Sequence, residues 1–203
     1  MSLPFMYVHK NKSPHGDTDH MGESINLVQN FNVKKIILNN NDYNNLELNL
    51  IKNLKKLNIP YYKGIKEINI SDYKLRFLNK EIYDDENDSS NVIYTEINGY
   101  KLLFMGDAGI KVEENIIKQY NLENIDILKV GHHGSKTSSS KRFIDYIKPK
   151  YSIISVGKNN MYGHPNNSVL NNLEHSKIYR TDEYGSIMFK IKKNNLMIKT
   201  CIP

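Results

Sequence analysis

Along this 203-residue chain, short apolar runs and strict apolar–polar alternation outnumber stretches of helical spacing. Such runs, rich in β-branched residues, predict strands at Val33–Leu38, Ile68–Ile70, Lys74–Leu78, Asn91–Ile97, Lys101–Met105, Ile125–Val130, Tyr151–Val156, Ile178–Arg180, Ser186–Ile191 and Leu196–Thr200. Leu46, Leu50, Ile51, Leu54 and Leu57 fall on one helical face, and weaker helical spacing marks Ile25–Phe31, Val112–Tyr120, Lys141–Ile147 and Ser168–His175. Helices placed between strands predict a layered α/β domain. Asn98-Gly99 between two apolar runs predicts a hairpin over Asn91–Met105, because a type I′ turn needs positive φ at both central residues. The polar stretch Asp84–Ser90 is expected to be a loop that delivers the chain into this hairpin, close to a functional site.

Length and a 39% hydrophobic content suit one globular domain over residues 1–203. No apolar run reaches the roughly 18 residues that span a bilayer, and the start lacks the build of a signal peptide, so a soluble chain is expected. Cys201 is the single cysteine, which excludes an internal disulfide, and it reads as a strand residue. The net charge of +6 suits a polyanionic partner, but the lysines are scattered and a solvated surface accounts for most of them.

The candidate chemistry begins at Pro14-His15-Gly16-Asp17-Thr18-Asp19-His20-Met21-Gly22. Two imidazoles and two carboxylates within six positions repel one another unless a cation joins them, and these are the ligands that divalent transition metals take. Metal-competent residues recur at three expected strand ends: Gly106-Asp107, Gly131-His132-His133-Gly134-Ser135-Lys136-Thr137, and Tyr162-Gly163-His164-Pro165. Strand ends in layered α/β folds project side chains into a common crevice.

With these four motifs in this order, the chain resembles the metallo-β-lactamase superfamily, and within it the soluble domain of ComEC-type competence proteins. The resemblance covers Ser13 to the C-terminus and implies a four-layer αββα sandwich. It further implies that His15 and Asp17 hold one metal, Asp19 and His20 a second, that Asp107 bridges both, and that His133 completes the second site. Spacing alone does not separate His133 from His132; the resemblance favours His133, with His132 supporting it or standing in as an alternative ligand. Two divalent ions, Zn²⁺ or Mn²⁺ with Mg²⁺ also suited, would share a hydroxide able to attack a phosphodiester. Asp19 and His164 are the implied catalytic residues, His164 protonating the leaving oxygen or binding a phosphate. Ser135, Lys136 and Thr137 would cradle the substrate phosphate, or else cap the helix that begins near Ser140.

The function implied is a metal-dependent hydrolase, foremost a phosphodiesterase or nuclease acting on DNA during uptake in competence. The alternative is a non-catalytic metal-binding module that holds nucleic acid or a protein. Asp17 stands where most relatives place histidine, which favours oxygen-loving ions. No histidine lies between His20 and His132, so Asn87, Ser89 or Asn91 would replace a middle ligand. Only fourteen residues precede His15 where relatives carry several strands, so an N-terminally shortened domain is expected. Its open sheet edge would invite a homo-oligomer or a separate N-terminal or membrane component. Location follows from that: cytoplasmic if the chain stands alone, the extracellular face if it serves a competence channel. His9 and His175 lack clustered partners, Arg180-Thr181-Asp182 with Gly185 suggests a strand-turn, and most of the fourteen tyrosines fall at strand positions, where packing suits them better than base stacking.

Overall fold

A seven-stranded mixed sheet, in the order β3-β4-β5-β6-β7-β8-β9, forms the backbone of the molecule in this computed structural model, which describes residues 21–193 and 195–201. Its strands are β3 (Glu67–Ile70), β4 (Tyr73–Phe77), β5 (Ile93–Ile97), β6 (Tyr100–Phe104), β7 (Ile127–Lys129), β8 (Tyr151–Ile154) and β9 (Lys177–Arg180). The first four pair antiparallel and the last three join parallel. Each parallel step is made by a helical crossover: α3 (Ile110–Gln119), α4 (Lys141–Ile147) and α5 (Asn167–Asn172). Parallel neighbours require such crossovers, and the helices cover one sheet face. There Leu103, Leu128 and Ile154 from the strands bury against Val112, Ile116, Phe143, Ile147 and Val169 from the helices. Leu103, Leu128 and Ile154 are wholly buried, each contributing about 1.5–3 kcal/mol of transfer free energy.

The opposite face carries a second, thinner layer. Leu75, Phe77 and Ile93 pack there with Ile37 of β1 (Ile36–Leu38), which pairs in parallel with β2 (Tyr61–Lys63). Beyond β1, helices α1 (Ser24–Asn30) and α2 (Asn45–Lys56) seal a further cluster of Val28, Ile36, Leu38, Leu50 and Leu54. The hairpin of β10 (Ser186–Lys192) and β11 (Asn195–Cys201) covers the same face farther along, Phe189 meeting the rings of Tyr151 and Tyr179 at 5.9 and 5.7 Å. Helix, sheet, sheet, helix is the αββα order expected from the sequence.

Local signals explain the boundaries. Asn44 and Glu47 form a reciprocal capping box that starts α2. Asn98 (φ 49°) and Gly99 (φ 81°) take the two positive φ angles of the expected hairpin turn. The strand expected at Val33–Leu38 is shorter, starting at Ile36, and the helix expected to reach His175 ends at Asn172. The expected strand-turn at Arg180–Asp182 is instead a helical turn, α6 (Thr181–Tyr184), in which Arg180 bonds the Asp182 carboxylate through both Nε and a terminal nitrogen. Among the described residues no helix is long and apolar enough to cross a membrane.

Candidate metal centre

The three expected strand ends converge. β6 runs into Gly106-Asp107, β7 into a tight turn at Gly131–Gly134, and the segment after β8 passes Ser155 on its way to His164. His132 N donates to the Gly106 carbonyl at 3.0 Å, joining the first two ends, and Asn166 N donates to the Gly134 carbonyl at 2.8 Å, joining the second and third. Gly131 and Gly134 permit these approaches: a Cβ on Gly134 would stand 2.6 Å from that of Pro165, and one on Gly131 would stand 3.1 Å from the Ala108 carbonyl. Between the glycines, His132 (φ 44°) and His133 (φ 53°) both adopt left-handed conformations. Consecutive non-glycine residues in this region cost about 1–3 kcal/mol each and persist where surrounding structure enforces them.

This strained turn aims the imidazoles. The Ser155 carbonyl can only accept, so the 2.6 Å contact from His133 Nδ1 fixes the proton there and leaves Nε2 as the lone-pair face. Nε2 lies 3.8 Å from Oδ1 of Asp107. That spacing exceeds a hydrogen bond and approaches the separation of about 3.4 Å between two donors on one tetrahedral ion. A histidine whose far nitrogen is tied to a carbonyl while the near one faces a carboxylate is the usual build of a metal ligand. The side chain of Asp107 is 1% exposed, and its backbone N–H donates to Ser90 Oγ at 3.0 Å.

His132 is turned elsewhere. Its Nδ1 lies 3.3 Å from Thr137 Oγ1, and its ring meets those of His133 and His164 edge-on, with centroids 6.4 and 6.0 Å away. Burial, then the neighbouring charges of His133 and His164, push His132 down to about 4, so it is neutral at pH 7. Burial also lowers His164. Ser135 Oγ lies 3.0 Å from Thr137 Oγ1, which extends the contact chain from His132. These hydroxyls do not cap the following helix: Ser140 does, accepting from Phe143 N at 3.3 Å. Lys136 is exposed. His15, Asp17, Asp19 and His20 lie outside the described residues, and among the described ones no three His, Cys, Asp or Glu side chains gather as a ligand set.

Several residues of the site were not legible in advance. Asp88 Oδ1 accepts from Gly109 N at 2.9 Å, so the acidic loop does reach the site, but through Asp88 and Ser90. Ser89, an expected ligand substitute, instead donates to the carbonyls of Tyr83 and Asp85. Buried Glu113 accepts from the N–H groups of Ser139 and Ser140, anchoring the far end of the histidine loop. Desolvation brings the Lys129 ammonium down to about 8, with the charge of Asp107 opposing that shift.

Three known proteins are similar in sequence to this chain. ComE operon protein 3 of Bacillus subtilis is 34% identical over 190 residues, covering 88% of this chain and 24% of its own length. Competence protein ComA of Neisseria gonorrhoeae is 37% identical over 116 residues, 55% of this chain and 17% of that protein. Recombination protein 2 of Haemophilus influenzae is 34% identical over 116 residues, 56% of this chain and 14% of that protein. The chain thus spans at most about a quarter of the length of these relatives. The sequence profile of the metallo-beta-lactamase superfamily matches residues 15–158, from the first histidine of the expected ligand cluster through the Asp107 and His132-His133 loops and short of His164, and the chain belongs to that superfamily of hydrolases.

Proposed function

We propose that this chain is a divalent-metal-dependent phosphodiesterase that cuts DNA. The observation that carries the reading is the pairing of Asp107 Oδ1 with His133 Nε2 while Nδ1 is tied to the Ser155 carbonyl, a donor set that fits a metal ion. His15 and Asp17 would complete one site, and Asp19 and His20 the other. Bound ions would supply Lewis acidity toward a phosphoryl oxygen and bring water within reach of deprotonation at neutral pH. Asp107 would bring negative charge to the midpoint of the site, and Asp19 would accept a proton during attack.

His164 is held for a supporting role. Asn160 accepts from its backbone N–H at 2.9 Å and donates to its carbonyl at 2.7 Å, which fixes the ring at the rim of the site. Because burial lowers its pKa, the neutral ring, donating one N–H to a phosphate oxygen, suits pH 7 better than an imidazolium acid. Thr137 and Ser135 would bind further phosphate oxygens. The preference for DNA draws on the net charge of +6 and on relatives named for competence and recombination.

The test is hydrolysis of single-stranded DNA and a chromogenic phosphodiester by metal-stripped protein to which Mn²⁺, Zn²⁺ or Mg²⁺ is restored. Metal-dependent cleavage that disappears in Asp107→Ala supports the reading. Folded wild type that turns over neither substrate with any of the three ions overturns it.

A further inference from the structure

We propose that Tyr162 is a platform on which one unpaired nucleobase of a single-stranded substrate stacks at the rim of the site, beside His164. This rests on the phosphodiesterase reading above.

Residues 157–164 fold back on themselves. The Asn160 amide donates to the carbonyls of Gly157 at 3.1 Å and His164 at 2.7 Å, and Gly163 N donates to the Asn160 carbonyl at 3.3 Å. Buried Pro165 then locks the loop against Gly134. A loop braced in this way presents its tip rigidly, and at the tip stand Met161, 89% exposed, and Tyr162, 55% exposed.

The ring of Tyr162 lies 21° from parallel with that of His164, centroids 5.9 Å apart. His164 meets His132 at 6.0 Å, His132 meets His133 at 6.4 Å, and His133 Nε2 faces Asp107. Four rings therefore run in file from Asp107 to solvent, with Tyr162 outermost. One side of the phenol is seated on an imidazole, and most of the remainder is open. Other exposed tyrosines are placed differently: Tyr62 lies on β2, and Tyr184 packs on Tyr179 at 5.6 Å, neither in that file.

An exposed aromatic face at the rim of a phosphate-reactive site suits a nucleobase of the strand leading into it, because every base offers a π-face. The base must come from an unpaired strand, since bases within a duplex are already stacked on both sides. Met161, soft and polarizable, adds an adaptable contact beside the base.

The test uses the full chain with two single-stranded oligonucleotides, one containing 2-aminopurine and the other abasic at the same positions, with and without Mn²⁺. Wild type is expected to bind the base-bearing strand roughly tenfold more tightly than the abasic one and to quench 2-aminopurine fluorescence. Tyr162→Phe should keep both effects, whereas Tyr162→Ala should bind the base-bearing strand no better than wild type binds the abasic one. Retention of the preference in Tyr162→Ala, or its absence from wild type, overturns the platform. Failure of the phosphodiesterase reading shows separately, as the lack of Asp107-dependent cleavage of either strand.

Discussion

His133 Nδ1 donates to the Ser155 carbonyl at 2.6 Å, and this bond between the β7 and β8 loop ends decides which histidine of the pair faces Asp107. Spacing had left His132 and His133 equivalent; the left-handed turn sends one toward the carboxylate and the other toward Thr137.

A difference in metal affinity follows. His133→Ala is expected to lose more than about 100-fold, beyond the 10- to 100-fold typical of residues that only support a ligand, whereas His132→Ala falls within or below that range. Titration against a competing chelator measures both. Ser155→Ala should leave affinity nearly unchanged, because the carbonyl and not the side chain holds the ring. Equal losses in both histidine variants would remove the assignment.

Stability should depend on the ion as well. An ion that binds only the folded chain stabilises it by about 2.7 kcal/mol at a concentration of 100 times its Kd. Metal-stripped protein should therefore show a rise in Tm on adding Mn²⁺ or Zn²⁺. Asp107→Ala should show a flat response at the same concentrations, read by thermal melts of both proteins.

Gly134→Ala and Gly99→Ala form a matched pair for the histidine turn. Both glycines have φ near 80°, so each substitution carries a left-handed cost of about 1–2 kcal/mol. At Gly99 nothing lies within 4 Å of the added carbon, while at Gly134 it stands 2.6 Å from Pro165 Cβ. Gly134→Ala should cost about 1–3 kcal/mol more by chemical denaturation, the further loss coming from overpacking. Equal costs would mean that Pro165 yields freely.

Much of this architecture was written in local signals. The Asn98-Gly99 turn, the apolar runs of β5 to β8 and the helical face of Leu50, Ile51 and Leu54 each depend on neighbours a few residues away. Asp107, His133 and His164 were legible as candidates because each follows an apolar strand into a polar loop. Ser90, Asp88, Glu113 and Ser155 were not, because their roles come from contacts 17 to 27 residues distant in sequence. Glu113 resembled an ordinary acidic residue in the first turn of a helix, and Ser155 acts only through its backbone. Tyr162 was legible as part of the Tyr-Gly-His-Pro loop, but its exposure comes from how residues 157–164 fold back and not from any local pattern.

Glu113 offers a test of electrostatics away from the metal ligands. Its carboxylate is 1% exposed and accepts the N–H groups of Ser139 and Ser140, just ahead of α4. Burial raises its pKa above the ordinary 4.5 even though these hydrogen bonds pull it down. The folded state therefore holds this proton more tightly than the unfolded chain does. Stability falls as pH rises from about 4.5 through the raised folded value, and levels off above it. Subtracting the denaturation free energies of Glu113→Gln from those of wild type between pH 4 and pH 7 isolates this titration. The difference should decline with pH. A difference that climbs instead would show that the two N–H donors outweigh desolvation, placing the carboxylate among the groups whose ionised form stabilises the histidine loop.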